Sequence, residues 1–246
     1  MSDRRKKKNL ARRKFLKYGA AAIGSYSIVT SASQSAKATT AEPTEKIIAQ
    51  NDPYGDMSPE EAISELIRGN RRFVRQRSRN PNQDRLRLLQ VSEAQSPFAC
   101  ILTCADSRVP PEIIFDRGLG DLFVVRDAGN IATPGEIGSL EYGALVLGAK
   151  AIVVMGHQSC GAVQAAMELG STPGFIGSII NEILPAVQMS SNKSGDRLYN
   201  AIAANVVLQK QKVQTSPVIS KLVAENKVKV VGAYYNLQTG RVDIIT

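Results

Sequence analysis

Short apolar runs alternate along the chain with longer segments in which apolar residues recur at helical spacing. Five apolar runs have the length and composition of strands, at 98–103, 122–126, 151–155, 228–235 and 242–245. Helices are predicted between them, at 111–116, 134–147 and 157–169, with one or two more between 176 and 226. Because strands and helices alternate, we expect an α/β fold with a mainly parallel central sheet of four to five strands, flanked by helices.

The segment before the first strand is predicted to form an N-terminal helical arm. Ser58 is a capping residue, Pro59 suits the first helical turn, and two acidic residues follow, which together mark the start of a helix. The preceding residues, 39–56, contain proline and glycine and show little periodicity, so they are interpreted as a linker or extended arm. A single globular domain is therefore expected at 57–246.

The formal net charge of +9 originates in the N-terminal segment. Residues 1–38 hold ten of the 31 basic residues and one of the 22 acidic residues, so the rest of the chain carries equal numbers of each. A neutral globular part gives no electrostatic reason to expect a nucleic-acid partner. The basic stretch from Arg68 to Arg79 is accordingly interpreted as a solvated helix face.

The first 38 residues have the order of regions that is typical of an export signal. The twin-arginine pattern Arg12-Arg13-Lys14-Phe15-Leu16-Lys17 precedes an apolar stretch at 18–32, and Ala36-Lys37-Ala38 offers a small-residue cleavage site. The apolar stretch is short and contains serine and glycine, so we expect no stable transmembrane anchor. We predict a twin-arginine signal peptide at 1–38 and a periplasmic or other extracytoplasmic location. A basic tail that binds anionic surfaces is the alternative.

The only histidine and two of the three cysteines lie at the ends of predicted strands. Cys104 follows the first strand, and His157 and Cys160 follow the third strand in the pattern H-x-x-C. Sites in parallel sheets gather beyond the carboxyl ends of the strands, so these side chains are expected to meet there. Two thiolates and one imidazole suit zinc, and three protein ligands leave a fourth position open, as in catalytic zinc sites.

A carboxylate and a guanidinium follow the first predicted ligand. Asp106 and Arg108 alternate in the loop, so they are expected to point to the same side and to form an ion pair. An aspartate kept ionised beside zinc can accept a proton in a hydrogen bond and orient a nucleophile. An ordinary loop ion pair is the alternative.

Three other small residues near the predicted ligands receive structural interpretations. Gly156 and Gly161 flank the H-x-x-C pattern and are expected to allow a tight passage from strand to helix. Cys100 lies inside the first apolar run and is interpreted as a buried core residue.

Four segments of the chain resemble the β-class carbonic anhydrases. They read C-A-D-S-R-V-P-P-E from Cys104, D-L-F-V-V-R-D-A-G-N from Asp121, G-S-L-E-Y-G-A-L-V-L-G from Gly138 and G-H-Q-S-C-G-A from Gly156. The similarity covers about residues 57–246 and implies that they form the catalytic domain. It implies one Zn²⁺ per chain, held by Cys104, His157 and Cys160, and a catalytic dyad of Asp106 and Arg108.

The resemblance also implies a substrate pocket that includes Gln95, Phe123, Tyr142 and Gly161. In the family, the glutamine, phenylalanine and tyrosine of one pocket come from the neighbouring subunit. The expected partner is therefore a second copy of this chain, in a homodimer or a higher homo-oligomer.

The activity that the resemblance implies is the reversible hydration of carbon dioxide to bicarbonate and a proton. One alternative is a hydrolase of carbon disulfide or carbonyl sulfide, which would keep the same ligands and dyad. Another is a zinc-bearing scaffold or sensor without catalytic activity. The presence of Asp106, Arg108 and Gln95 argues against the scaffold, since a purely structural zinc needs none of them.

Overall fold

A five-stranded sheet lies at the centre of the computed structural model, which describes residues 54–168, 170 and 172–246. The strands are β1 (Ala99–Cys104), β2 (Leu122–Asp127), β3 (Ala151–His157), β4 (Lys229–Tyr235) and β5 (Val242–Ile244). Their order is β2-β1-β3-β4-β5, and only β5 runs antiparallel to its neighbour. The predicted α/β fold is confirmed. The predicted signal peptide at 1–38 and most of the linker lie outside the described residues.

Eight α-helices surround the sheet in the part of the chain that is described. They are α1 (Pro59–Val74), α2 (Arg85–Val91), α3 (Pro111–Ile114), α4 (Pro134–Glu141), α5 (Gly161–Glu168), α6 (Ile176–Ser190), α7 (Arg197–Gln214) and α8 (Pro217–Ala224). A π-helical segment, Tyr142–Val146, continues α4. Among the described residues, no helix has the length and apolar character needed to cross a membrane.

The prediction of one or two helices between 176 and 226 is wrong, because three helices lie there. Two of these helices begin at a polar residue whose side chain caps the first turn. Asp196 accepts hydrogen bonds from the first backbone N–H groups of α7, and Ser216 accepts one from Ile219 at the start of α8. The polar segment at 191–196 separates the first two of these helices, and Pro217 begins the third.

The first helix begins at the predicted capping residue. The Ser58 hydroxyl accepts a hydrogen bond from the Glu61 N–H, and the Glu61 carboxylate accepts one from the Ser58 N–H. Ala62 and Leu66 on the inner face of α1 are fully buried against the sheet. The predicted N-terminal helical arm is thus packed on the core of its own chain through α1.

The central strands β1 and β3 are buried along their whole length, as parallel strands are when helices cover both faces. Successive side chains of a strand point to opposite faces. Ile101 and Val153 accordingly pack with α1 and α3 on one face, while Leu102 and Val154 pack with α4 and α8 on the other. Cys100 lies on the second face and is buried as predicted, and burial raises the pKa of its thiol to about 12.

The sequence pattern does not predict α2, and the exposure of its side chains explains why. None of its residues is buried, and Leu86, Leu88 and Leu89 expose 71%, 56% and 58% of their surface. The apolar residues therefore form no inward-facing stripe, which is the signal that identifies a helix from sequence. An exposed apolar surface of this kind is typical of a contact between proteins.

Candidate metal centre

Two neighbouring strands bring metal-ligating side chains to one edge of the sheet. β1 ends at Cys104 and β3 ends at His157, and the register that pairs Thr103 with Met155 sets the two ends side by side. Cys160 follows in the turn after β3. The two sulfur atoms and a ring nitrogen lie within 4.8 Å of one another, and all three residues are buried. The ligands predicted from sequence therefore meet.

The His157 ring is oriented for metal binding. Its Nδ1 lies 2.9 Å from the carbonyl oxygen of Gln158, which can only accept a hydrogen bond, so Nδ1 carries the proton. Nε2 is buried and has no hydrogen-bond partner in the described part of the chain. A neutral imidazole held by a carbonyl at one nitrogen and free at the other is the usual arrangement of a histidine metal ligand.

The thiols of Cys104 and Cys160 influence each other's protonation. The hydrogen bond from the Cys160 thiol lowers the pKa of Cys104, and His157 and the Gly129 N–H, 3.2 Å from the Cys104 sulfur, lower it further. The pKa of Cys160 is raised, first by the hydrogen bond between its thiol and Cys104, then by burial and by the charge on Cys104. A divalent cation bound to both sulfurs would remove this competition. The buried Cys₂His set therefore fits a zinc ion with one open position.

The turn between β3 and α5 differs from the prediction. The left-handed residue in this turn is Ser159, at φ +55°, and a Cβ added at Gly161 would meet no atom. The prediction that Gly156 and Gly161 permit the passage is therefore wrong. A Cβ at Gly156 would lie 2.7 Å from the Val206 side chain on α7. Gly156 is needed because α7 approaches β3 closely next to His157.

Asp106 and Arg108 form the predicted ion pair in the loop after β1. Arg108 Nε donates to Asp106 Oδ1 at 2.9 Å and Nη2 donates to Oδ2 at 2.7 Å, so the contact is bidentate. Arg108 holds the pKa of the Asp106 carboxyl well below its usual range. Asp106 Oδ2 also lies 3.9 Å from His157 Nε2. An ionised carboxylate is thereby placed beside the ligand cluster.

Two further residues at the end of β2 complete this edge, and sequence reasoning gave neither a role. Arg126 donates to the carbonyl oxygens of Cys104 at 3.1 Å and of Asp106 at 2.6 Å, which fixes the backbone of a ligand and of the dyad. Asp127 Oδ1 accepts the Ile131 N–H at 2.8 Å, and burial raises the pKa of the Asp127 carboxyl to about 7. Both residues lie at the carboxyl end of β2, beside the ends of the two strands that carry ligands, and this position could have identified them from the sequence.

The predicted substrate-pocket residues do not all lie at this edge. Gly161 begins α5, directly after the last ligand. Gln95 is exposed and precedes β1, at the opposite end of that strand from Cys104, and a strand of this length spans about 17 Å. Phe123 is the second residue of β2, and its ring centre lies 6.2 Å from that of Tyr142. These three residues therefore lie toward the amino ends of the strands, whereas the ligands lie at the carboxyl ends.

The chain is similar to members of one protein family over most of its described length. The family model for carbonic anhydrase matches residues 99–242, from the first residue of β1 to the first residue of β5. The carbonic anhydrase of Mycolicibacterium smegmatis is 36% identical over 193 residues, which cover 76% of this chain and 93% of that protein. Carbonic anhydrase 2 of Mycobacterium tuberculosis is 37% identical over 192 residues, which cover 75% and 91% of the two chains.

Solved structures share the fold of this chain. The β-carbonic anhydrase of Coccomyxa in complex with acetazolamide matches with a TM-score of 0.60 and 27% identity, over 74% of this chain and 86% of that one. The β-carbonic anhydrase CcaA matches with a TM-score of 0.59 and 28% identity, over 75% and 91% of the two chains. The similarity thus extends far beyond the segments that carry the ligands.

Proposed function

The chain belongs to the β class of the carbonic anhydrase family, and we propose that it catalyses the zinc-dependent, reversible hydration of carbon dioxide to bicarbonate and a proton. The observation that carries this proposal is the buried cluster of Cys104, His157 and Cys160, in which an imidazole nitrogen without a hydrogen-bond partner among the described residues lies near two thiols. The ionised Asp106 beside the cluster favours a reacting site, since a structural zinc needs no such neighbour.

The residues around the cluster have distinct tasks in this proposal. Zinc, when bound, supplies the Lewis acidity that makes water a nucleophile at neutral pH. Asp106 stays ionised because Arg108 pairs with it, so it accepts a hydrogen bond and orients the nucleophilic oxygen. Arg126 holds the backbone that carries Cys104 and Asp106 in register with each other. The three ligands are themselves buried, so bulk water has little access to them.

Stopped-flow measurement of carbon dioxide hydration by the zinc-loaded chain tests the proposal. We expect hydration far above the rate in buffer, and no hydrolysis of carbon disulfide in a parallel assay. Hydrolysis of carbon disulfide or carbonyl sulfide without hydration would instead support the alternative substrate on the same ligands. Tight zinc binding without either activity would support the scaffold or sensor.

We further propose that the active unit is a homo-oligomer in which one subunit completes the pocket of another. Gln95 is exposed at the far end of β1 from the ligands, and Tyr142 exposes 48% of its surface beside Phe123. The exposed leucines of α2 supply apolar area of the kind that protein interfaces cover. A second copy of the chain could bury this area and bring the three pocket residues to a metal centre.

Co-folding of two inactive variants tests the shared pocket. A chain with Asp106→Asn and a chain with Gln95→Ala should together recover about a quarter of wild-type activity if they associate at random as dimers, because each mixed dimer holds one intact site. If native mass spectrometry detects the mixed dimer and activity stays at the level of the parents, Gln95 serves its own chain.

We also propose that the chain is exported by the twin-arginine route and acts outside the cytoplasm. The support is the order of basic, apolar and small-residue segments at 1–38. Replacing Arg12 and Arg13 by lysine keeps the charge and removes the twin-arginine pattern that the export machinery would recognise, so active precursor should accumulate in the cytoplasm. Unchanged fractionation of this double variant would favour a basic tail that binds anionic surfaces.

A further inference from the structure

Two buried amide side chains on α7 have no part in the ligand set or in the ion pair. Asn205 and Gln209 expose 1% and 0% of their surface, and they lie one helical turn apart. A buried amide destabilises the fold unless its polar atoms find hydrogen-bond partners. The partners that these two amides contact therefore indicate their role.

Gln209 joins three elements of the structure. Its Nε2 donates to the Glu182 carbonyl on α6 at 3.1 Å and to Asn205 Oδ1 at 2.9 Å. Its Oε1 accepts the Ala132 N–H at 2.9 Å, in the loop that follows β2. The side-chain oxygen and both N–H groups of Gln209 are thus engaged. Because one of these N–H groups donates to Asn205 Oδ1, the Asn205 amide is oriented with its own N–H groups toward Gly129.

Asn205 extends these contacts to the metal centre. Its Nδ2 donates to the Gly129 carbonyl at 2.8 Å, and the Gly129 N–H donates to the Cys104 sulfur at 3.2 Å. Gly129 and Asn130 have φ values of +85° and +47°, so two successive residues of this loop adopt the left-handed conformation. Such a backbone needs support from its surroundings, and Asn205 provides it at the residue whose N–H reaches the sulfur.

The helix that carries the amides is itself held close to the sheet. A Cβ at Gly156 on β3 or at Gly232 on β4 would lie 2.7 Å from a methyl group of Val206. Val206 therefore packs against both strands where they lack side chains. This contact fixes α7 next to the ligand strand, so the amides act from a rigid element.

We propose that Asn205, oriented by Gln209, is a positioning residue that holds the Gly129 N–H on the Cys104 sulfur and thereby sets the zinc affinity of the site. Two thiolates at one cation concentrate negative charge, and an N–H dipole directed at one of them offsets part of it. The same bond limits the directions in which the sulfur can point. Partners of metal ligands that act in this way commonly contribute about 10- to 100-fold in affinity. This inference rests on the zinc site proposed above.

Zinc affinity and a spectroscopic signature test the proposal without reference to turnover. Asn205→Leu removes the donor to Gly129 and preserves most of the side-chain volume. In competition with a chelator, we expect its zinc dissociation constant to rise about tenfold. In the cobalt-substituted protein, the thiolate-to-metal absorption should move to longer wavelength, because a sulfur without its N–H partner is richer in electrons.

A matched control lies on the same helix. The Asn200 amide also bonds loop carbonyls, those of Lys193 and Ser194, at 3.4 and 2.9 Å, but it is not connected to the Gly129 loop. Asn200→Leu should change stability without altering zinc affinity or the cobalt spectrum. Asn205→Ala serves if the leucine variant does not fold, since it removes the donor to Gly129 without adding bulk or charge.

The outcomes separate this inference from the proposed function. Failure of the wild-type chain to bind zinc would overturn the zinc site and the inference with it. If the wild type binds zinc tightly and the folded Asn205 variants retain its affinity and cobalt spectrum, the positioning role alone is wrong. Equal loss of thermal stability with and without zinc, at unchanged affinity, would likewise assign Asn205 to packing.

Discussion

The two ends of the central sheet are built differently. At the carboxyl end, the buried ligands lie within 4.8 Å of one another, and Arg108 binds the Asp106 carboxylate through both oxygens. At the amino end, Gln95 is exposed, Tyr142 exposes 48% of its surface, and α2 contributes no buried residue. Within the described residues, one chain therefore brings the three predicted ligands and the ion pair together. Three of the predicted pocket residues, Gln95, Phe123 and Tyr142, lie away from them.

This difference indicates that two parts of the molecule have separate tasks. The carboxyl end of the sheet positions the reactive groups, and the amino end offers a surface that can enclose the substrate of a second subunit. Reactive groups must keep a fixed geometry, and buried strand ends supported by hydrogen bonds provide it. Enclosure needs only a complementary surface, which a second subunit can bring. Substitutions at the carboxyl end should therefore change zinc binding or rate in the chain that carries them, whereas those at the amino end should act through the partner's pocket, through assembly or through stability.

The largest effect should follow the loss of a ligand at the carboxyl end. Cys160→Ser and His157→Ala are each expected to lower zinc content and to reduce hydration at least about a thousandfold, since the Lewis acid leaves with the metal. Cys100→Ala is the matched control, because Cys100 is a buried thiol of the same sheet outside the cluster. Elemental analysis and stopped flow measure both quantities. Full zinc occupancy in either ligand variant would contradict the assignment.

The next largest effect is expected at the ion pair. Asp106→Asn should keep its zinc and lower kcat about a hundredfold, because an amide neither accepts a proton like a carboxylate nor pairs with Arg108. Asp243→Asn is the control: Arg241 and Asp243 also form a pair two residues apart, at 2.7 Å, outside the ligand cluster. A wild-type rate for Asp106→Asn, measured at full zinc occupancy, would remove the pair from the mechanism.

The metal centre could be predicted from sequence because its geometry follows from short-range patterns. Parallel strands end at a common edge, so ligands at the ends of β1 and β3 must come together once the strands are recognised. Asp106 and Arg108 lie two residues apart, and their pairing depends on the local backbone alone. The second inference needs no long-range information, and the first needs only that β1 and β3 are neighbours, as their pairing shows.

The residues that sequence reasoning missed depend on contacts between distant segments. Arg126 acts on the backbone of β1, which requires the register of two strands. Gly156 is needed because of Val206, a residue on a later helix, and not because of the turn beside it. The amide of Asn205 reaches Gly129 through the packing of α7 on the sheet. Neither register nor helix packing can be read from periodicity.

A smaller effect on rate should follow the loss of backbone support at the carboxyl end. Arg126→Leu is expected to lower kcat about tenfold with zinc retained, because the loop that carries Asp106 loses two hydrogen bonds and the carboxylate is less precisely placed. Arg126→Lys keeps the charge but cannot make both bonds in the same geometry. Recovery of the full rate in the lysine variant would show that charge, and not positioning, is what Arg126 contributes.

The smallest effect on rate is expected at Tyr54, which joins the start of the described chain to the amino end of the sheet. Its hydroxyl donates to the buried Asp121 carboxylate at 2.9 Å, and its ring centre lies 5.0 Å from that of Phe98. Tyr54→Phe keeps the ring and removes the hydrogen bond. The free energy of unfolding should fall by about 1.5 kcal/mol near neutral pH, with the hydration rate unchanged.

The dependence of this effect on pH identifies its source. Burial, and then the charge of Asp121, raise the pKa of Tyr54 to about 12 in the folded chain, against about 10 in an unfolded chain. The hydroxyl's contribution to the free energy of unfolding is therefore complete below about pH 10 and is lost as the pH rises toward 12. Urea titrations of the zinc-loaded enzyme should show the gap between wild type and Tyr54→Phe narrowing over that interval. A constant gap would mean that the hydroxyl is not its source, and an altered hydration rate in Tyr54→Phe would break the separation between the two ends of the sheet.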